Sequence, residues 1–222
     1  MDARLSVVVP TLNEASAIER CLGALAPLRT RGQEVIVVDG GSADGTPQLA
    51  APHCDRVLSA PRGRALQMNA GAAAASGDAL LFLHADTVLP AGADQAVLAA
   101  LASRAWGRFD VAIDSPDARL AVVGFFMNWR SRLTGIATGD QAIFVRRADF
   151  PGFPPIALME DIAFSRALKR VSPPACLRER VSTSARRWQA HGIARTVCLM
   201  WQLRLQYWLG ADPDELARRY AH

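Results

Sequence analysis

Short runs of apolar, mostly β-branched residues alternate with helical patterns in the first half of the chain. The runs cover residues 5–9, 34–38 and 79–83, and each ends at a polar or turn-forming cluster. Near-continuous apolar runs of this length are typical of strands that are buried on both faces of a parallel sheet. We therefore expect three parallel strands at these positions.

Apolar residues between positions 15 and 25 recur at helical spacing and predict a first helix. Asn13 or Ser16 would cap this helix, and Pro27 would end it. Two further helices are expected at residues 64–75 and 93–102. Alternating strands and helices indicate an α/β fold in which a central, mostly parallel sheet is flanked by helices.

The second half of the chain has a less regular pattern, but it contains no linker and no internal repeat. We interpret residues 1–222 as a single domain, with one half at 1–113 and the other at 114–222. In the second half we expect a strand at 142–145 and helices at 160–170, at 193–209 and after Asp212-Pro213, preceded by an apolar segment at 120–133.

Composition narrows the class of protein. Half of the 222 residues are hydrophobic, which is enough for a sizeable core, and the formal net charge of +4 is too small to indicate nucleic acid as a partner. The scattered cysteines Cys21, Cys54, Cys176 and Cys198 are expected to be reduced thiols. We find neither a secretory signal pattern nor a run of about 18 apolar residues, so we expect a cytoplasmic protein.

Polar clusters follow all three predicted strands, at 10–14, 39–42 and 84–87. In open α/β sheets, ligands bind outside the carboxyl ends of the strands. Gly41 allows a positive φ and a close approach of the backbone to a ligand. The clusters therefore predict a ligand site, although Asp39 and Asp86 could instead only cap the helices that follow them.

These clusters carry a resemblance to a known family. Residues 7–14 and 37–46 resemble the opening of a family 2 glycosyltransferase with the GT-A fold. Residues 81–87 occupy the place of that family's DxD motif, 158–161 resemble its ED motif, and 184–188 are similar to its Arg-Trp element. Segments 83–87, 139–147 and 184–188 are also similar to small bacterial transferases called radical-SAM/selenodomain-associated, some of which are assigned to arsenosugar biosynthesis.

The resemblance implies a single GT-A domain that transfers a sugar from a nucleotide-diphosphate donor, a UDP-sugar, with inversion of configuration. The acceptor would be a small molecule or a lipid-linked molecule that binds mainly to the second half. The alternative is a non-catalytic nucleotide-binding or assembly protein on the same scaffold.

The resemblance also implies a divalent metal, Mg²⁺ or Mn²⁺, because a departing diphosphate needs charge stabilisation and hard oxygen ligands suit these ions. Asp86 matches the last acid of the DxD motif, whereas His84 replaces the first acid. His84 would contact the nucleotide or be an ordinary histidine at the end of a strand. His191 would be a further metal ligand or a surface side chain.

Donor binding is expected to involve residues from several motifs. Asp39 matches the acid that contacts the base or the ribose, and Arg64 would pair with phosphate or remain solvated. The other residues assigned to the donor and acceptor sites are Pro10, Thr11, Asn13, Glu14, Gly41, Ala85, Gln141 and Glu160.

Asp161 matches the acid of the ED motif that acts as general base, and the alternative role is a favourable interaction with the helix dipole. Asp140 is the second candidate base, or it contacts the donor sugar or the acceptor. Arg187 would bind the diphosphate and Trp188 would line the sugar site, unless the two form a structural cation–π pair. Segment 193–209 would rest on a membrane interface, or pack on the domain or a second subunit.

Overall fold

The computed structural model describes residues 3–220 and contains a mixed sheet with helices on both faces. The strands are β1 (Leu5–Thr11), β2 (Glu34–Asp39), β3 (Arg56–Ser59), β4 (Ala79–Phe82), β5 (Thr87–Val88), β6 (Trp106–Asp114), β7 (Phe144–Arg146) and β8 (Ala175–Ser184). Their order in the sheet is β3-β2-β1-β4-β7-β6-β8-β5.

The helices lie between the strands and in the C-terminal part of the chain. They are α1 (Ile18–Thr30), α2 (Thr46–Ala50), α3 (Arg64–Ala74), α4 (Ala93–Leu101), α5 (Ala118–Thr134), α6 (Glu160–Leu168), α7 (Arg186–His191), α8 (Ile193–Trp208) and α9 (Pro213–Tyr220). The predicted helices at 64–75, 93–102, 160–170, 193–209 and after 212 are confirmed to within two residues at each end.

The parallel part of the sheet consists of β1 to β4, with β1 pairing with both β2 and β4. Strand β7 then runs antiparallel to β4 and to β6, so the sheet is mixed. The three predicted strands are confirmed, and their side chains are almost all buried because helices cover both faces. The arrangement brings the carboxyl ends of β1, β2 and β4 to one edge of the sheet.

The prediction for the first helix is wrong at both ends. The helix begins at Ile18 without a side-chain cap, because the Asn13 amide oxygen instead accepts a hydrogen bond from the Ala43 N–H at 2.9 Å. Pro27 lies inside the helix, which continues to Thr30. Proline costs the helix one backbone hydrogen bond, and the burial of Leu25 and Leu28 around it holds the helix on the core.

The long neighbouring strands β6 and β8 have no clear signal in the sequence, because charged residues interrupt both of them. Arg108 in β6 is fully buried and forms a hydrogen-bonded ion pair with Asp110. Asp110 also accepts a hydrogen bond from Arg132 on α5 at 2.7 Å. A buried charge is tolerated when it is paired and hydrogen-bonded, so β6 keeps its place between β7 and β8.

Candidate functional site

A cavity of about 580 Å³ lies at the carboxyl ends of β1 and β4 and extends to α6, α7 and α8. Most of the side chains predicted for the site line it. They are Pro10, Thr11, Glu14, Arg64, His84, Ala85, Asp86, Asp140, Glu160, Asp161, Arg187 and Trp188. Segments that are distant in the sequence, from β1 to α7, therefore meet around one space.

Five of the predicted residues are outside this lining: Asn13, Asp39, Gly41, Gln141 and His191. His191 is an exposed side chain at the end of α7. Gln141 is fully buried, and its side-chain oxygen accepts a hydrogen bond from the Thr138 N–H at 3.2 Å. The structure thus places these two residues away from the cavity, and their predicted roles stay predictions.

Asp39 organises the loop after β2. One carboxylate oxygen accepts hydrogen bonds from the N–H groups of Gly41 and Ser42, both at 2.9 Å, and the other accepts from the hydroxyls of Ser42 and Thr11. Burial raises the pKa of Asp39, but the hydrogen bonds from Ser42, Gly41 and Thr11 outweigh it and hold the pKa below its ordinary value. Gly41 has a φ of +93°, so the tight turn around the carboxylate favours glycine.

Gln67 on α3 is a residue that the sequence analysis missed. It is buried, it lines the cavity, and its amide nitrogen donates to the carbonyl oxygens of Thr11 at 2.7 Å and Val38 at 2.9 Å. Gln67 therefore fixes the ends of β1 and β2 relative to each other. The sequence marks Gln67 only as a polar residue within the Ala-rich segment 64–75.

Asp86 and Glu14 share one cation, Arg186. The guanidinium of Arg186 lies 2.7 Å from Glu14 Oε2 and 3.6 Å from Asp86 Oδ2, and it also donates to Ser16 Oγ at 3.2 Å. The hydrogen bond to Glu14, followed by the charges of Glu14 and Asp86, raises the pKa of Arg186. The first residue of α7 is thus held against the ends of β1 and β4.

His84, at the first position of the DxD-like motif, is enclosed. Its Nδ1 lies 3.3 Å from Asp140 Oδ1, whereas its buried Nε2 has no hydrogen-bond partner among residues 3–220 and faces Gly139. A Cβ atom built on Gly139 would lie only 2.4 Å from Nε2. Burial raises the pKa of Asp140, but the hydrogen bond and charge of His84, with more distant arginines, outweigh it and lower the pKa.

Asp161 is fixed by two backbone groups. One carboxylate oxygen accepts a hydrogen bond from the Gly139 N–H at 2.9 Å, and the other accepts from its own neighbour, the Ile162 N–H, at 2.7 Å. Asp161 lines the cavity. The two candidate bases, Asp140 and Asp161, are therefore held side by side through the loop at Gly139.

Glu160 forms an ion pair with Arg64 from the first turn of α3, at 3.0 Å. The side chain of Glu160 is only 2% exposed, and that of Arg64 is 43% exposed. Burial of Glu160 raises the pKa of its carboxyl group, although the charge of Arg64 opposes the change. Arg64 thus borders the cavity, and Glu160 partly neutralises its positive charge.

Arg187 and Trp188 do not form the cation–π pair that was the structural alternative for them. The Arg187 guanidinium lies 3.4 Å from the centre of the Tyr220 ring and donates to the Tyr220 carbonyl oxygen at 2.9 Å. Trp188 packs beside the cluster around Leu120. Arg187 therefore joins α7 to α9, and both side chains still line the cavity.

Two more arginines line the cavity, Arg62 before α3 and Arg204 on α8. Neither of them forms an ion pair with any of residues 3–220. Guanidinium groups bind phosphate oxygens well. The cavity thus combines Asp86, which follows β4, and the two acids of the first turn of α6 with unpaired cations, as a site for a charged ligand would.

Asp86 is the side chain of the DxD-like motif that can hold a metal ion. Within the described part of the chain, no three histidine, cysteine or acidic residues come together as a metal cluster. Asp86 is accessible from the cavity, with only long contacts to Arg186 and, at 3.4 Å, to Thr87. Mg²⁺ is commonly held by one or two carboxylates together with substrate phosphates and water, so Asp86 fits such an ion as the single protein ligand.

Comparison with known proteins agrees with this architecture. The family model described as "Glycosyl transferase family 2" matches residues 6–150. A PGL/p-HBAD biosynthesis glycosyltransferase of Mycobacterium tuberculosis is 38% identical over 91 residues, and the same match is found for Mycobacterium bovis. This alignment covers 38% of this chain and only 36% of the mycobacterial protein.

Solved structures show the same fold at low sequence identity. TarS 1-349 of S. aureus aligns with a TM-score of 0.63 and 19% identity, covering 82% of this chain and 60% of that one. Glucosyl-3-phosphoglycerate synthase from Mycobacterium tuberculosis, in complex with Mg²⁺ and uridine-diphosphate, aligns with a TM-score of 0.61 and 21% identity, covering 82% and 70%.

Proposed function

The chain belongs to glycosyltransferase family 2, and from that premise we propose that it transfers a sugar, with inversion, from a UDP-sugar to an acceptor hydroxyl or another nucleophile. One observation carries the proposal. The loop after β1, the acid after β4 and the acid that begins α6 line a single cavity of about 580 Å³ at the carboxyl edge of the sheet. That edge is where open α/β sheets bind their ligands.

The donor would bind across the ends of β1, β2 and β4. The loop held by Asp39 lies beside Thr11, which lines the cavity, and Asp39 or the backbone of this loop would contact the base or ribose. Arg62 and Arg64 stand at the start of α3, where helix geometry and positive charge both favour a phosphate group. Complexes of TarS with UDP-GlcNAc and of the synthase with uridine-diphosphate are known, and they support a uridine donor.

A divalent ion, Mg²⁺ or Mn²⁺, held by Asp86 would offset the charge that develops on the departing diphosphate. Arg186 places a positive charge 3.6 Å from the same carboxylate. When the donor phosphates enter, Arg186 can remain with Glu14, with which it pairs at 2.7 Å. Asp86 would then be available to the ion.

Asp161 would act as the general base. It lies in the cavity wall with both oxygens oriented by backbone N–H groups, and the remaining lone pairs can accept a proton from the acceptor. Attack from the face opposite to the diphosphate inverts the anomeric carbon. Asp140, oriented by His84, is the second candidate for this role.

The acceptor would be a small molecule or a lipid-linked molecule that is bound by the second half of the chain, where α6, α7 and α8 line the cavity. The similarity to the radical-SAM/selenodomain-associated transferases remains a proposal that rests on residues 83–87, 139–147 and 184–188. The predicted cytoplasmic location also stays a prediction.

Calorimetry and donor hydrolysis test the proposed function together. We expect UDP to bind more tightly when Mn²⁺ is present, and we expect one UDP-sugar of a panel to be hydrolysed or transferred in a metal-dependent reaction. A binding protein without catalysis would show the first result without the second. A chain that binds neither UDP nor another nucleotide diphosphate would contradict both the transferase and the nucleotide-binding hypothesis.

A further inference from the structure

Two neighbouring helices, α5 and α8, each expose a stripe of large apolar side chains. On α5 the stripe consists of Val122, Phe125, Phe126, Trp129 and Leu133, and on α8 it consists of Trp201, Leu205 and Trp208, followed by Leu209. The exposed fractions of these side chains run from 53% at Trp129 to 70% at Trp208. We call these nine residues the apolar surface. Isolated apolar residues on a surface need no explanation, but a contiguous series of this kind marks an interaction site.

The two helices lie beside each other. Val123 and Met127 of α5 and Ile193 of α8 pack against the same small cluster around Leu120. Arg130 of α5 and Arg204 of α8 are also close enough for their charges to interact. Burial lowers the pKa of Arg130 to about 10, and the charge of Arg204 contributes to the decrease. The exposed stripes therefore belong to one region of the protein.

The charge of the two helices indicates the chemistry of the partner. The two helices contain five arginines and no acidic residue: Arg119, Arg130, Arg132, Arg195 and Arg204. Arg119 pairs with Asp117 and Arg132 pairs with Asp110. Arg130, Arg195 and Arg204 have no acidic partner among residues 3–220. The Nε and Nη2 atoms of Arg130 are buried and Arg204 lines the cavity, so the exposed and uncompensated positive charge beside the apolar surface comes from Arg195.

We propose that the apolar surface, together with the exposed Arg195 of α8, docks on a bilayer that contains anionic lipids. Tryptophan is enriched where a protein meets the interface between hydrocarbon and headgroups, and Trp129, Trp201 and Trp208 are exposed here. Arginine side chains near that interface are attracted by anionic headgroups. In the described part of the chain no helix is long and apolar enough to span a bilayer, so the two helices would lie along its surface.

Docking would bring the cavity to the lipid. Helix α8 packs on the protein through Thr196 and Leu203, lines the cavity through Met200 and Arg204, and exposes Trp201, Leu205 and Trp208 on the remaining side. The face toward the cavity is therefore next to the face toward the membrane. This inference does not depend on transferase activity, although it is consistent with a lipid-linked acceptor.

Sedimentation with vesicles tests the docking directly. We expect the purified chain to sediment with vesicles made of equal parts phosphatidylglycerol and phosphatidylcholine. Its affinity for pure phosphatidylcholine vesicles should be lower by a factor of about ten or more. High salt should weaken binding to the anionic vesicles. The double variants W201S/W208S and F125S/W129S should each lose about tenfold or more in affinity, and R195E should lose about fivefold.

The matched control is V171S, since Val171 is 56% exposed but lies outside both helices. This variant should bind vesicles as the unchanged protein does. Circular dichroism and UDP binding show whether each variant is folded. Equal binding to both kinds of vesicle, or no binding at all, would overturn the proposal. So would a stable dimer in light scattering that W201S/W208S converts to a monomer without any change in vesicle binding.

Discussion

Asp161 Oδ2 accepts a hydrogen bond from the Gly139 N–H at 2.9 Å, and this contact joins the first turn of α6 to the loop that carries Asp140. The loop is held on its other side by His84, whose Nδ1 lies 3.3 Å from Asp140. The two carboxylates that could remove a proton from the acceptor are therefore positioned by one loop. Their roles can be separated only by substitutions that leave this loop in place.

Asp161→Asn is the first such substitution. Asparagine keeps the size of the side chain and one acceptor oxygen, but it is not a base. We expect kcat to fall by about 10²- to 10⁴-fold, the usual effect of losing general-base catalysis, with the affinity for the UDP-sugar nearly unchanged. Single-turnover transfer and calorimetry on the same preparation measure both quantities.

Asp140→Asn is the control for this experiment. If Asp161 is the base, the Asp140 variant keeps most of its kcat. Near-normal turnover in the Asp161 variant, together with a large loss in the Asp140 variant, would assign the base to Asp140. The melting temperature of Asp161→Asn should fall modestly, because an amide nitrogen cannot accept one of the two backbone hydrogen bonds.

Gly139→Ala tests the loop itself. A Cβ at this position would lie 2.4 Å from His84 Nε2 and 2.5 Å from its Cε1, so the imidazole or the loop must move. Overpacking of this kind costs about 1–3 kcal/mol, and the displaced loop should also reduce kcat. Gly23→Ala is the matched control, since nothing lies within 4 Å of its Cβ position on α1. It should raise the melting temperature slightly, because alanine is the better helix former. Equal effects of the two substitutions would show that the loop tolerates the extra atom.

Much of the parallel half of the sheet could be predicted from sequence, because strands that are buried on both faces leave continuous apolar runs. The run at 34–38, for example, is completely buried as β2. Strand β6 could not be predicted, because the buried charges of Arg108 and Asp110 depend on contacts with α5. Arg108 donates to the Asn128 carbonyl oxygen, and Asp110 accepts from Arg132. Ion pairs between distant residues leave no local pattern.

The same limit applies to the site. Asp86 and Asp161 were identified because motifs mark them. Arg186 lies in the Arg-Trp element at 184–188 and Gln67 lies in a predicted helix, but the sequence does not show which distant residues they contact. Arg186 reaches Glu14 across 172 positions, and Gln67 reaches Thr11 across 56. Conversely, Asn13 was predicted to line the site. Its amide oxygen instead accepts a hydrogen bond from the Ala43 N–H in the adjacent loop.

Asp39→Ala should weaken UDP binding by about 1–3 kcal/mol, the usual scale for the loss of a hydrogen bond to a charged group. The reason is either a lost contact with the nucleotide or the collapse of the loop, since four hydrogen bonds converge on this carboxylate. Calorimetry with UDP measures the change. Unchanged affinity would show that neither the Asp39 carboxylate nor the loop that it holds contributes to UDP binding.

Asp39 should also make stability sensitive to acid. Its pKa is lowered in the folded protein, so its contribution is present above the unfolded pKa of about 4 and is lost as the pH falls through the lower folded value. We expect Asp39→Asn to be less stable than the unchanged protein near pH 7, and the difference to shrink below about pH 4. Urea unfolding across this range measures the difference, and a difference that stays constant would contradict the assignment.

Asp86→Asn addresses the metal. The Asp86 carboxylate contributes little to the fold, since its contacts are a 3.6 Å approach to Arg186 and a 3.4 Å contact with the Thr87 hydroxyl. The melting temperature should therefore stay close to that of the unchanged protein. Because the amide has no charge with which to hold Mg²⁺ or Mn²⁺, we expect metal-dependent transfer to be abolished and the effect of Mn²⁺ on UDP affinity to disappear.

Glu14→Gln is the matched control for the Asp86 variant, because Glu14 is the other carboxylate on Arg186 and lies closer to it, at 2.7 Å. If Asp86 acts by holding a metal, Glu14→Gln keeps its dependence on Mn²⁺ even where its affinity for the donor falls. If Asp86 acts only by balancing the charge of Arg186, both substitutions should shift the affinity for UDP in the same direction and leave the Mn²⁺ dependence unchanged. Titrating UDP into each variant with and without Mn²⁺ separates the two cases, and an Asp86→Asn enzyme with normal Mn²⁺-dependent turnover would remove Asp86 from the metal site.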